Sequence, residues 1–348
     1  MKSNSSNRIF PAEWHSQSAI QLTWPDAKTD WNYILDEVIS CYQNIAKIIS
    51  DRQRLLVVCR DPKQTAPLLS HCDPHQLILV QAEINDTWAR DHAFITVLED
   101  EKPVLLDFGF NGWGNKFDAN DDNKINQNLL VQNTFSDCRY EDHNDFMLEG
   151  GSIESDGQGT ILTTSECLLS ATRNPVYSKT EIEHYLKNSF GADRILWLDH
   201  GYLNGDDTDS HIDTLARFCS QDTIVYVKCN DENDVHFQAL NQMEAQLKTF
   251  VQANGNPYNF IALPMAKAVY DKDDGHRLPA TYANFLIIND AVMMPVYNLP
   301  TDTEAGKALQ KAFPGHTIIP VDCSPLIRQH GSLHCISMQY PAEVKFSI

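Results

Sequence analysis

Covalent attack on a reluctant carbon needs a nucleophile, a proton carrier and groups that hold the substrate in place, and the chain offers a candidate for each. Cys335, in HGSLHCISMQ, stands at the head of an apolar, hairpin-like stretch and follows Gly331, which permits unusual backbone angles beside it. A free thiol has a pKa of about 8.5, so Cys335 becomes reactive only beside a cation, an imidazole or a helix terminus. His211 and Asp213 form an HxD pair closing GDDTDSHID, the most polar stretch of the chain. On an extended backbone both side chains share one face, with Ile212 in the core. An imidazole suits acid–base work near neutral pH, and a neighbouring carboxylate orients it or binds a cation. The same stretch also reads as a metal site, with Asp206, Asp207, Asp209, His211 and Asp213 as ligands, or as a solvated acidic loop; its spacing matches no EF-hand.

NDTWARD, residues 85 to 91, presents Asp86, Trp88, Arg90 and Asp91. Trp88 could cover an aliphatic or cationic ligand, and Asp91 could pair with a positive group, while Arg90 also suits a plain strand-end ion pair. Glu149, in LEGGS, precedes two glycines that let backbone and ligand approach closely, although a lone Glu there also fits a simple turn.

The elements that must position these groups are short and mixed. Apolar, β-branched runs at 54–60, 77–80, 103–108, 160–164, 194–198, 223–228, 260–265, 285–289 and 316–322 predict strands. Helical spacing marks Asp30 to Ser50, Asp234 to Val251 and Thr303 to Phe313. Asp118 to Asn128 reads as an exposed acidic loop at a rim. A longer rhythm overlies these elements. Asp91, Glu149, His211, Asn284 and Cys335 each lead into an apolar hairpin, at intervals of roughly 50 to 75 residues, as expected of a repeat architecture with five units. In a closed radial array such positions converge on one central pocket. No Pro- or Ser-rich linker separates the units, so residues 1–348 read as a single α/β domain.

Composition narrows the partners. The 47 acidic and 27 basic residues leave a formal charge of −20, which disfavours nucleic acid and suits a cationic ligand. No stretch approaches the roughly 18 apolar residues of a membrane helix, and MKSNSSNRIFPAEW lacks the apolar segment of a secretory signal, which leaves the cytoplasm as the expected location. Nine cysteines, an odd number without a CxxC pair, argue against a disulfide framework or a zinc ribbon.

Taken together, PAEWHSQSAIQLTWP (11–25), NDTWARD (85–91), LEGGSIESDGQGTILTT (148–164), GYLNGDDTDSHIDTLARF (201–218) and LHCISMQYP (333–341) resemble the agmatine deiminase branch of the guanidine-modifying, or pentein, superfamily, close to bacterial peptidylarginine deiminases. HGS before Leu333 and HAFITV after Asp91 depart from the family wording, which concerns the pocket rim. The resemblance implies a pseudosymmetric five-bladed α/β propeller. It implies Cys335 as nucleophile, His211 as general acid and base, and Asp91, Glu149 and Asp213 as the carboxylates that hold a guanidinium. Trp88, Asp86, Asn284 and Asp207 are then expected to line the substrate. The implied reaction hydrolyses agmatine to N-carbamoylputrescine and ammonia through a covalent amidino-thioester, in polyamine synthesis or agmatine catabolism, with neither metal nor organic cofactor. A deiminase for free or peptide-linked arginine is the alternative. The resemblance also implies a homodimer or larger homo-oligomer.

Overall fold

Five short sheets follow one pairing rule in the computed structural model, which describes residues 7–347. Residues 1–6, part of the N-terminal stretch read above for a leader, lie outside the described residues. In each sheet a middle strand pairs antiparallel with one neighbour and parallel with another reached through a helix. Ile95–Glu99, Lys102–Gly109 and Arg139–Met147 form the first such set. Ile153–Ser155, Thr160–Thr164 and Arg194–Leu198 form the second. Ala216–Ser220, Thr223–Lys228 and Asn259–Pro264 make the third, and Leu286–Ile288, Ala291–Val296 and Thr317–Asp322 the fourth. In the fifth, Ser337–Pro341 near the C-terminus pairs antiparallel with Gln17–Thr23, which pairs parallel with Arg54–Cys59, followed by Leu77–Gln81. The two ends of the chain therefore share a sheet.

The middle strands are Val-, Ile-, Leu- and Met-rich and buried almost throughout, as in Thr223–Lys228 and Ala291–Val296, the pattern of strands covered on both faces. The helices supply that cover. Leu35–Ser50 turns Val38, Cys41, Tyr42, Ile45, Ala46 and Ile49 inward at helical spacing, each large apolar side chain contributing about 1.5–3 kcal/mol.

The expected strands all form, with ends shifted by a residue or two. The predicted helices also form, the first opening as a 3-10 turn over Asp30–Ile34, the second trimmed to Phe237–Leu247 and the third shifted by one residue to Asp302–Ala312. Asp118 to Asn128 is not the exposed loop its polarity suggests: it holds a 3-10 turn, Asp122–Lys124, and the start of a helix, Ile125–Val131. Asp122, Ile125 and Asn126 are buried there, because Asp122 accepts the backbone N–H groups of Asn85 and Asp86 and so ties this segment to the NDTWARD loop. None of the described helices is long and apolar enough to cross a membrane.

The repeat register explains where functional groups can sit. Asp91, Glu149, Asn284 and Cys335 each lie two to four residues before the antiparallel partner of their middle strand, and His211 lies five before Ala216–Ser220. Tight turns at these strand entries, not the strands themselves, present the side chains.

Candidate active site

The site converges on Gly151. In the turn Gly150–Ser152, a Cβ on Gly151 would stand 2.6 Å from His211 Nδ1, 3.0 Å from Asp91 Oδ1 and 3.1 Å from Asp213 Oδ2, and one on Gly150 would meet the Arg90 carbonyl at 2.2 Å. Two glycines are thus required for the second unit to press between the others. The Gly151 N–H donates to Asp91 Oδ1 at 3.0 Å, and Trp113 Nε1 donates to Asp91 Oδ2 at 2.9 Å, so this carboxylate is held from two sides.

The backbone at His211 differs from the extended form expected. Ile212–Thr214 is a 3-10 turn, closed by the Thr214 hydroxyl donating to the His211 carbonyl at 2.8 Å. The turn still brings His211 and Asp213 to one point and buries Ile212 completely. His211 Nδ1 lies 3.7 Å from Asp91 Oδ1, and Nε2 lies 4.0 Å from Glu149 Oε2. Both ring nitrogens and Asp213 Oδ1 are buried without a hydrogen-bond partner among the described residues.

Cys335 Sγ lies 3.9 Å from Asp213 Oδ2 and 3.4 Å from Asn284 Oδ1. Asn284 Oδ1 also accepts the backbone N–H groups of His334 at 2.9 Å and Cys335 at 3.3 Å, so Asn284 pins the turn that carries the thiol. Gly331 takes no unusual φ; the left-handed residue is its neighbour His330, at φ 68°. Gly331 is needed for space, since a Cβ there would come within 2.1 Å of the Trp88 ring.

Glu149 is committed elsewhere than its fellow carboxylates. Arg173 Nε reaches both its oxygens, at 2.9 and 2.8 Å, and Arg173 also binds Asp209 at 2.6 Å and the Thr208 carbonyl at 2.8 Å. Glu149 therefore faces His211 with its charge balanced. Glu149, Cys167 and His211 offer donor atoms within 4.8 Å of one another, but the Arg173 charge on Glu149 opposes a divalent cation there. The acidic GDDTDSHID stretch gathers no ligand set either: Asp206 accepts from Thr208 and Ser210, and Asp209 pairs with Lys116 and Arg173.

A cavity opens onto the buried Cys335 and Asp91, walled by Trp88 and Trp113, with the more exposed Asp30, Asp86 and Asp207 completing its acidic lining. No Lys or Arg is among the described lining residues; His330 is the one basic group. Trp88 is held by donating its Nε1–H to Asp86 Oδ2 at 2.9 Å, with its ring against Trp31 and Trp113. The sequence-predicted residues Asp86, Trp88, Asp91, Asp207 and Cys335 line this cavity. Asn284 binds backbone and thiol, and Glu149 binds Arg173.

Electrostatics follow from burial. The Asp91 carboxyl is pushed up to about 6 by burial, with Asp213 and Glu149 adding to the effect and His211 opposing it. Against its own burial, His211 is held up at about 10 by Asp91 and Cys167. Burial, Asp213 and Asp91 push the Cys335 thiol well above its ordinary value. Asp213 stays below the usual carboxylate value despite burial, because His334 bonds to it. At the mouth, burial and Asp30 raise Asp86 to about 7.

Sequence reasoning missed Trp113, Arg173, Asp30 and a buried group of Glu13, Arg217, Glu154 and His334 behind Asp213. Glu13, Glu154, Arg217 and His334 all lie inside the segments quoted for the resemblance, but their types alone do not announce which would meet.

Known proteins match this chain over nearly its whole length. A Porphyromonas gingivalis protein, its structure named that of a "putative arginine deiminase", is 48% identical, with TM-score 0.92 over 97% of this chain and 99% of its own. A substrate-bound variant of C. jejuni agmatine deiminase, with a cysteine replaced by serine, is 37% identical, with TM-score 0.89 over 98% of each chain. Agmatine deiminase of Stutzerimonas stutzeri is 30% identical over 96% of this chain and 95% of its own. The family model for Porphyromonas-type peptidyl-arginine deiminases matches residues 9–341, and the chain belongs to that family.

Proposed function

We propose that the protein hydrolyses agmatine to N-carbamoylputrescine and ammonia. The observation that carries this reading over an arginine substrate is the wall of the cavity, where Asp30, Asp86 and Asp207 stand outside Asp91 with no Lys or Arg among the described lining residues. A guanidinium inside and an ammonium at the mouth both meet carboxylates. The α-carboxylate of arginine would instead meet like charge, which is costly away from bulk water. The agmatine deiminases among its relatives support the same choice.

Asp91 and Asp213 hold the guanidinium by charge-assisted hydrogen bonds, and Trp88 covers the methylene chain. The bound cation offsets the two acids that keep Cys335 protonated, which tips the thiol toward thiolate. The thiolate attacks the guanidinium carbon and gives a tetrahedral adduct. His211, protonated at about 10, gives its proton to the departing ammonia, leaving an amidino-thioester on Cys335. The neutral imidazole then takes a proton from water, whose attack on the same carbon releases the ureido product and restores the thiolate. Glu149, balanced by Arg173, orients His211, and Asn284 sets the Cys335 turn. The five sheet units close around one axis as a five-bladed propeller forming a single domain, which accounts for the convergence of five strand entries.

Turnover of agmatine, arginine and an arginine peptide blocked at both ends tests the substrate. Agmatine should be hydrolysed with the highest kcat/KM, and Cys335→Ala should release no ammonia. Faster turnover of either arginine substrate would overturn the choice of agmatine.

A further inference from the structure

His334 joins Asp213 to a buried ionic group that no step above uses. Its Nδ1 lies 2.7 Å from Asp213 Oδ2, while its Nε2 faces Arg217 Nη2 at 3.1 Å and Glu13 Oε2 at 2.8 Å. Arg217 is fully buried, paired to Glu13 and Glu154, and also donates to the carbonyls of Ala283 and Phe285. Its guanidinium lies 4.5 Å over the Phe285 ring. The His334 backbone is fixed as well: its N–H donates to Asn284 Oδ1 at 2.9 Å. Arg90 completes the charged surroundings, with its Nε 3.4 Å from the His334 carbonyl.

We propose that His334 is a positioning residue for the reaction: its Nδ1–H anchors Asp213 Oδ2, while its Nε2 is held between Glu13 and Arg217. This rests on the assignment of Asp213 as a guanidinium ligand. A neutral imidazole has one N–H. Placed on Nδ1 it satisfies Asp213, and a second proton on Nε2, donated to Glu13 Oε2 at 2.8 Å, leaves that bond unchanged. Burial and the positive charges of Arg217 and Arg90 pull the imidazole pKa down, in keeping with a neutral ring. Asp213 thereby receives a donor at Oδ2 and stays ionised for the substrate. With Oδ2 anchored, Oδ1, buried and without a partner among the described residues, is the oxygen turned to the guanidinium. Because Cys335 follows His334 directly and Sγ lies 3.9 Å from the anchored Oδ2, one ring sets the carboxylate beside the thiol. Ordering of a charged ligand by a neighbour's fixed N–H is how outer groups set site geometry generally.

Amide side chains separate this role from mere packing. The Asn amide nitrogen reproduces Nδ1, whereas that of Gln reproduces Nε2. His334→Asn should keep kcat and KM for agmatine within about threefold of the native values. His334→Gln, which leaves Asp213 without its donor, should raise KM roughly 10- to 100-fold, the range for losing a hydrogen bond to a charged group. Equal effects of the two substitutions would overturn the proposal. Nitrogen-15 NMR of the native protein, which needs no variant to fold, should show His334 with a protonated Nδ1; an unprotonated Nδ1 would overturn it equally. Absence of native turnover on any guanidine substrate would instead defeat the functional reading, and the NMR result would still decide the Nδ1 proton.

Discussion

Chemistry at this site depends on which residues burial leaves protonated. In the free protein Asp91 sits at about 6 and His211 at about 10. In the proposed mechanism binding needs the Asp91 anion, and loss of ammonia needs the His211 proton. kcat/KM for agmatine should therefore rise with pH through about 6, hold a plateau, and fall as His211 loses its proton near 10. A pH–rate profile checks this, and Asp91→Asn should lower the plateau and abolish the acid limb; an acid limb unchanged in that variant would refute the assignment. At this scale much was legible in the sequence. Cys335, His211 and Asp91 stand out by type and register and Asp213 by its HxD pairing with His211, and the structure brings the four side chains together. Their supports were not legible, because a buried ion pair leaves no local pattern: His334 and Glu13 are 321 residues apart, and Arg217 and Glu13 are 204 apart.

Elements were legible where periodicity was strong and lost where packing overrode it. The Val- and Ile-rich middle strands declare themselves, but Arg139–Met147, reading RYEDHNDFM, has too little apolar alternation to be seen as a strand. It is held in the first sheet by parallel pairing with Lys102–Gly109. The helix Lys179–Phe190 carried signals that went unused: a Ser178–Glu181 capping box, an inward row of Ile182, Leu186 and Phe190, and Gly191 in the left-handed C-cap position at φ 65°. The HxD turn shows the opposite limit, since a 3-10 turn and an extended strand both place residues two apart near one another. Arg217 shows what such elements must bury to build the site. It sits on Ala216–Ser220 with no solvent exposure, and removing it leaves Glu13 and Glu154 in a buried place without their cation. Arg217→Ala should cost about 3–5 kcal/mol in urea unfolding. A loss below about 1 kcal/mol would mean that the two carboxylates find other partners.

Across the whole molecule, a charge of −20 accompanies a cavity lined by Asp30, Asp86, Asp91 and Asp207. Such a field raises the local concentration of a dication and speeds its arrival, an effect that salt screens. kcat/KM for agmatine should fall severalfold between about 0.01 and 0.15 M ionic strength, whereas kcat should hardly move; insensitivity of kcat/KM to salt would show that steering contributes nothing. The five-unit rhythm was legible because a polar residue of the candidate site recurs just before each strand entry. The joining of the chain ends was not, since Gln17–Thr23 and Ser337–Pro341 find each other only in the folded protein. What this assembly exists to do, on the present account, is to form a bond between one sulfur and one guanidinium carbon. Mass spectrometry of native protein quenched during agmatine turnover, followed by peptide mapping, tests that most directly. The account predicts an amidino adduct on the peptide carrying Cys335 and on no other; steady turnover with Cys335 unmodified, or with the adduct on Cys167, would contradict it.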